Sequence, residues 1–310
     1  MTDESNNARP PLSPKNWPNW IAIAFGWTLA HWPSRLQTWG GKTLGRLMQA
    51  LMWSRGRNAR TNLALCFPEL GEAERERMLH KMFTALGLGV FEFLRAWWGR
   101  LSTNDPAYTL KGLEHLQAAQ ALDKGVILVS AHFTTLEICV RLLCRDVEIN
   151  GMYRPHDSEA LEWAVKKARA RYTKQMFSRD ELRPALRCLK QGGVLWFAPD
   201  QETRRGESVF VPFFNQPASS LTSTHQMARM SGAAVLPFFH QRNADGSYSL
   251  EIWPALENFP GKDATTDTAR IMATMEQLIR RAPEQYLWIH QRFKRTPEGK
   301  SKHYSSHSYR

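Results

Sequence analysis

From residue 107 onward, short apolar runs bounded by turn residues recur: AYTLKGL, GVILVSA, EINGMYR, GGVLWFAPD, AAVLPFFHQR and YSLEIWP. Each has the length of a strand and is too short for a typical helix. Between them lie segments such as EALEWAVKKARARY (159–172), whose apolar residues fall three and four apart, the spacing of a helix with one buried face. Strands alternating with helices predict an α/β fold with a mixed, largely parallel central sheet flanked by helices. NADG (243–246), between the last two runs, is a turn signal that makes them a hairpin. Before the first run the pattern is helical. Pro68 interrupts it and Gly71 follows; from Glu72 the residues Met78, Leu79, Met82, Phe83 and Leu86 repeat at helical spacing. The polar tail after Pro297 is expected to fray.

The stretch NWPNWIAIAFGWTLAHWPS (16–34) contains no Lys, Arg, Asp or Glu, and Trp17, Trp20, Trp27 and Trp32 gather toward its ends. Amphipathic rings flanking an apolar segment suit a bilayer interface. The segment, bounded by Pro18 and Pro33, reads as a short transmembrane helix or an interfacial one, with a buried helix of a soluble protein as the bland alternative. Arg35, Lys42, Arg46, Arg55, Arg57 and Arg60 follow it, against Arg9 and Lys15 before it, which puts the body of the protein on the cytoplasmic side. The expected organisation is an N-terminal membrane-associated helical segment (1–60), an α/β domain (61–297) and a polar tail (298–310).

Composition narrows the partners. Forty-one Lys and Arg against 29 Asp and Glu give a net charge of +12, which favours polyanions: nucleic acid, anionic lipid, a phosphorylated substrate or an acidic protein. The arginines are dispersed over helices with no nucleic-acid-binding signature, so nucleic acid is not expected. The four cysteines form no CxxC pair and no HExxH occurs; neither a disulfide framework nor a metal or other cofactor is expected.

One pair carries candidate chemistry. His132 ends the run GVILVSA and Glu137 follows five residues later. Ten histidines and 29 acids in 310 residues yield roughly one such spacing by chance. A second instance, His240 with Asp245, falls into the NADG turn, where the aspartate is expected to cap the turn. His132 instead lies at the C-terminal end of a strand just before a helix, where ligand chemistry collects in α/β sheets. Five residues along a helix turn side chains about 140° apart, so the two converge only if His132 lies outside the helix. Glu137 would then accept from one imidazole nitrogen and leave the other as a base. The bland alternative is a strand-end histidine beside a solvated acid, and the residues alone leave both open.

The blocks NLALCFPEL, SAHFTTLE, YRPHD, WFAPDQ, SVFVPFF, ARMSGAAVLPF and APEQYLWIHQRFK stand in an order that resembles the late, or secondary, acyltransferases of lipid A biosynthesis, lauroyltransferase-like, within the HX4D/E lysophospholipid acyltransferase superfamily. Asn215 departs from the pattern, where a glycine commonly follows FF, and the SHSYR tail is peculiar to this chain. The resemblance implies transfer of an acyl chain from an acyl-carrier-protein thioester to a hydroxyl of a 3-hydroxyacyl chain on a Kdo-bearing lipid A precursor, at the cytoplasmic face of the bacterial inner membrane. It implies His132 as base, Glu137 as its partner, and Arg169 and Asp200 as further polar residues of the site. Periodicity puts Arg169 and Arg171 equally far from the buried stripe of their helix, and only the resemblance chooses Arg169. Tyr153, Arg154, Arg204 and Arg205 are candidates for holding the anionic acceptor. The competing readings are an acyltransferase for glycerolipids or other glycolipids, and a basic protein that binds membrane lipid without catalysis.

Overall fold

The fold comes from a computed structural model that describes residues 9–102, 105–202, 206–300 and 303–304. Four helices come first: α1 (Trp17–Ala30), α2 (Ser34–Leu51), α3 (Trp53–Cys66) and α4 (Glu72–Trp98). Next come β1 (Tyr108–Lys111), α5 (Leu113–Gln120), β2 (Val126–Val129), α6 (Leu136–Leu143), β3 (Ile149–Tyr153), α7 (Glu159–Arg169), β4 (Gln175–Ser178), α8 (Leu182–Lys190) and β5 (Val194–Phe197). The chain continues through β6 (Ser208–Phe213), β7 (Gln216–Leu221), α9 (Ser223–Ser231), β8 (Ala234–Arg242), β9 (Tyr248–Ile252), α10 (Ala264–Arg281), β10 (Arg295–Thr296) and β11 (Gly299–Lys300).

The six apolar runs all become strands of one seven-stranded sheet, ordered β1-β9-β8-β2-β5-β3-β4. Every neighbouring pair is parallel except β8 with β9, which the NADG turn joins as an antiparallel hairpin. β2 and β5 lie in the middle, and VILV of β2 is buried throughout because helices cover both faces of the sheet. The sequence pattern did not mark β4 or the separate β6–β7 hairpin. Its two-residue turn, Phe214 and Asn215, has both φ values positive, 50° and 57°. That is the primed geometry that glycine usually serves, and asparagine tolerates it, which accounts for the departure at Asn215.

At the N-terminal end no helix among the described residues is long and apolar enough to cross a membrane. The 14 residues of α1 span about 21 Å, short of a hydrocarbon core of about 30 Å, so the transmembrane option for 16–34 is set aside. One face of α1 packs on α7, with Ile23 against Ala160 and Ala164. α2 lies along α4 at close range. A Cβ on Gly87 would collide with the carbonyl oxygen of Gly41 and the backbone nitrogen of Gly45. Two residues on, a Cβ on Gly89 would come 2.8 Å from the carbonyl oxygen of Thr134, so α4 also abuts the turn that follows His132. The start of the tail is tied down: β10 pairs with β11, and the Tyr304 hydroxyl donates to Asn62 Oδ1 at 2.5 Å. Residues 301–302 and 305–310 of that tail fall outside the described residues.

Candidate active site

Strand register brings His132 and Asp200 together. β2 and β5 pair in parallel with Val129 opposite Phe197, and each candidate lies three residues beyond its member of that pair. His132 Nδ1 is 2.7 Å from Asp200 Oδ1, and the His132 backbone N–H donates to Oδ2 at 3.1 Å. The Tyr286 hydroxyl donates to the same Oδ2 at 2.9 Å. Asp200 is fully buried. Burial favours its protonated form, but the charge on His132 and these hydrogen bonds outweigh burial and hold the carboxyl below its ordinary 3.8. Burial likewise disfavours the imidazolium, yet the Asp200 charge and hydrogen bond hold His132 above its ordinary 6.5. An ionised carboxylate only accepts, so Nδ1 carries a proton and Nε2 presents its lone pair in the neutral ring. The His132 side chain is 31% exposed, and no described residue hydrogen-bonds Nε2.

The carboxylate that faces His132 is therefore Asp200, and the expected His132–Glu137 hydrogen bond is replaced. Glu137 sits in the first turn of α6, 3% exposed, turned toward α4 and α7. Its Oε1 pairs with the Arg169 guanidinium. Its Oε2 accepts from Trp97 Nε1 and from the Tyr172 hydroxyl, each at 3.0 Å. Three donors from α4 and the end of α7 saturate this carboxylate, while the register of the sheet delivers a different one to the imidazole. Arg169 lies with its guanidinium 5.9 Å from the Trp97 ring and 5.6 Å from the Tyr153 ring. Arg171, equal to it by periodicity, is exposed and donates to the Ala168 carbonyl.

The remaining candidates scatter. Tyr153, at the end of β3, covers Arg169 and donates to Glu162 Oε1 at 2.6 Å, joining the Glu137 cluster. Arg154 is 64% exposed and pairs with Asp157, so the structure leaves it in solvent. Arg204 and Arg205 lie outside the described residues. Asp245 caps its turn by accepting from the Ser247 backbone and hydroxyl. His240 is fully buried beneath the His132 turn, with Nδ1 2.9 Å from Thr135 Oγ1, and burial depresses it to about 3.

Tyr286, Trp97 and Tyr172 were not anticipated by residue patterns. Tyr286 belongs to a segment that clamps the turn: Thr134 donates to the Gln285 carbonyl and Leu287 to the His132 carbonyl. Beside this segment opens a pocket of about 340 Å³, walled by Arg55, Asn58 and Asn62 of α3, by Gln201 and Glu202, and by most of the stretch from Tyr286 to Lys294. The asparagines build the wall, because Asn62 Nδ2 donates to the carbonyls of Trp288 and His290 and Asn58 Nδ2 to that of Ile289. A larger cleft of about 1000 Å³ between α2, α4 and the β8–β9 hairpin includes none of His132, Glu137, Tyr153, Arg154, Arg169 and Asp200. The smaller pocket is the one next to the chemistry.

This arrangement can take a proton at Nε2 from a hydroxyl brought to the pocket mouth, in the manner of a carboxylate-oriented general base. The model of the bacterial lipid A biosynthesis acyltransferase family matches residues 6–295. The chain is 37% identical over 290 residues to the lipid A biosynthesis lauroyltransferase of Escherichia coli (strain K12), which covers 93% of this chain and 95% of that protein. It is 36% identical over 306 residues to the lipid A biosynthesis palmitoleoyltransferase of the same organism, covering 98% and 100%. Among solved structures, the 1-acyl-sn-glycerophosphate acyltransferase of Thermotoga maritima matches with a TM-score of 0.35 and 15% identity, over 80% of this chain and 95% of that one.

Proposed function

Since the chain belongs to the bacterial lipid A biosynthesis acyltransferases, we propose that His132 is the general base of its acyl transfer, with Asp200 rather than Glu137 fixing the tautomer. The donor in this reading is an acyl-carrier-protein thioester, and the acceptor is a hydroxyl on a 3-hydroxyacyl chain of a Kdo-bearing lipid A precursor. Nε2 removes the hydroxyl proton as the oxygen attacks the thioester carbonyl. The resulting oxyanion is met by backbone N–H groups at the start of α6 or by the Arg169 guanidinium. Collapse forms the ester and expels the thiolate, which takes the proton back from the imidazolium. Glu137 acts by holding Arg169, Trp97 and Tyr172 in one buried cluster. The observation that carries the reading is the 2.7 Å contact between His132 and a fully buried, ionised Asp200, with Nε2 left open.

The same proposal places the protein on the cytoplasmic face of the inner membrane, held by an interfacial helical surface. Among the described residues, eleven of the fifteen large exposed hydrophobics lie between Leu12 and Trp53, the other four being Leu122, Leu182, Phe210 and Met230. Trp17, Ile21 and Phe25 form a stripe on α1, and Leu36, Trp39, Leu47 and Leu51 are exposed on α2. Arg35, Lys42 and Arg46 stand among them, as adhesion to anionic lipid requires.

Purified protein incubated with acyl carrier protein thioester and lipid A precursor tests the enzyme reading, with lysophosphatidic acid as the control acceptor. His132→Ala is expected to lose turnover by orders of magnitude while remaining folded. Near-normal transfer by that variant would remove the base assignment.

A further inference from the structure

We infer that the pocket beside His132 is an anion subsite in which Arg55 and Lys294 receive a phosphate group of one of the two substrates, an inference that rests on the acyltransferase reading of the same site. Among the described residues, three cations line the pocket, Arg55, Arg292 and Lys294, against one acid, Glu202. That acid is already neutralised, because Arg295 Nε lies 2.7 Å from Glu202 Oε1. Arg292 is 5% exposed, and its guanidinium is held by the Ser219 carbonyl and the Ser220 hydroxyl, both uncharged. A buried guanidinium whose hydrogen-bond partners are neutral leaves net positive potential on the pocket wall.

Arg55 and Lys294 come from different segments of the lining, one from α3 and the other from the stretch after Trp288, and neither forms an ion pair with a described residue. Several other arginines of the fold are engaged by carboxylates: Arg60 with Glu76, Arg95 with Asp105, Arg169 with Glu137 and Arg242 with Glu92. The pocket also reaches the catalytic pair. Its lining includes Tyr286, which donates to Asp200, and Leu287, whose N–H holds the His132 carbonyl. His290 lies between the two regions: burial first, and then the positive charges of His132 and Arg55, hold it below its ordinary 6.5. A neutral His290 leaves the two cations as the anchors for an anion. Phosphate suits a site where cations from two chain segments line one pocket, since it offers several oxygens to accept their donors. Both substrates offer phosphate, on the sugar of the acceptor and in the prosthetic arm of the carrier.

The experiment measures the KM of each substrate separately for full-length wild type, Arg55→Ala, Lys294→Ala and the double variant, with Arg55→Lys and Lys294→Arg as charge-retaining controls. The double variant is expected to raise one KM by roughly tenfold or more, the scale of losing charged hydrogen bonds, with kcat within about threefold. The charge-retaining variants should recover most of that loss. A rise confined to the lipid acceptor assigns the sugar phosphate, and one confined to the carrier assigns the prosthetic arm. Unchanged KM for both substrates overturns the subsite. Calorimetric titration with inorganic phosphate is read independently of turnover: binding by wild type that is lost in the double variant supports the subsite, and equal affinity in both overturns it. Absence of acyl transfer by wild type would defeat the parent reading, and the titration would still decide the subsite.

Discussion

Replacing Asp200 by Asn keeps the shape of the side chain and removes its charge, and the hydrogen bonds around it determine how the imidazole responds. In the native protein Oδ2 receives two donors, the His132 backbone N–H and the Tyr286 hydroxyl, and Oδ1 faces Nδ1. An asparagine has one oxygen, and the site with two fixed donors claims it. Its NH2 group then points at Nδ1, which must become an acceptor, so the imidazole proton moves to Nε2. The base is lost although every group remains hydrogen-bonded. In the serine-hydrolase arrangement the equivalent tautomer error costs about 10⁴ in kcat, and a fall of about 10³–10⁴, or roughly 4–5.5 kcal/mol of transition-state stabilisation, is expected here. Steady-state transfer from acyl carrier protein thioester supplies the readout, with thermal unfolding as the control for folding. A variant that kept activity within tenfold of wild type would refute the tautomer reasoning.

The same geometry sets three further outcomes. The kcat/KM profile of wild type should rise with pH through a value above 6.5, because His132 must be neutral to act as base; Tyr286→Phe should move that limb to still higher pH and lower kcat roughly tenfold with KM unchanged, since Asp200 loses one stabilising donor. The stability difference between wild type and Asp200→Asn should be largest between pH 3.8 and 6.5: the His132 contribution is full below 6.5 and fades as pH rises through its raised value, and the Asp200 contribution is full above 3.8 and fades as pH falls through its lowered value. Arg169→Ala should cost about 3–5 kcal/mol in denaturant unfolding by leaving Glu137 buried without its cation, and an unchanged midpoint would show that Trp97 and Tyr172 suffice.

Much of the sheet could be read from local pattern, because β2, β5 and β8 are short apolar runs whose ends carry turn residues. The position of His132 at a strand end came from those runs, and Asp200 closes another of them, GGVLWFAPD. Their pairing did not come from the runs. Spacing along the chain suggested Glu137, five residues away, whereas the partner is 68 residues distant and is chosen by the Val129–Phe197 register. No periodicity reports the offset between two strands. Tyr286 was hidden for the same reason, since its contact depends on where a loop after α10 returns. β6–β7 escaped because Pro212 and Pro217 interrupt its strands and its turn is Phe-Asn instead of a glycine pair. Arg169 closes α7 and pairs with Glu137, whereas Arg171 lies in the turn beyond the helix, an end point that periodicity does not report.

The glycine contacts of α4 carry a mechanical consequence. Through Gly87 this helix touches the backbone of α2, and through Gly89 that of Thr134, so in the proposed membrane-bound arrangement the exposed apolar surface of α2 and the His132 ring are gauged against a single rod. With no side chain between them there is little slack to take up, and the altitude of the imidazole above the headgroups is set by the chain itself. On the proposed reading, a substrate anchored in the same leaflet then meets the His132 ring at one fixed elevation, whichever molecule of the enzyme it encounters.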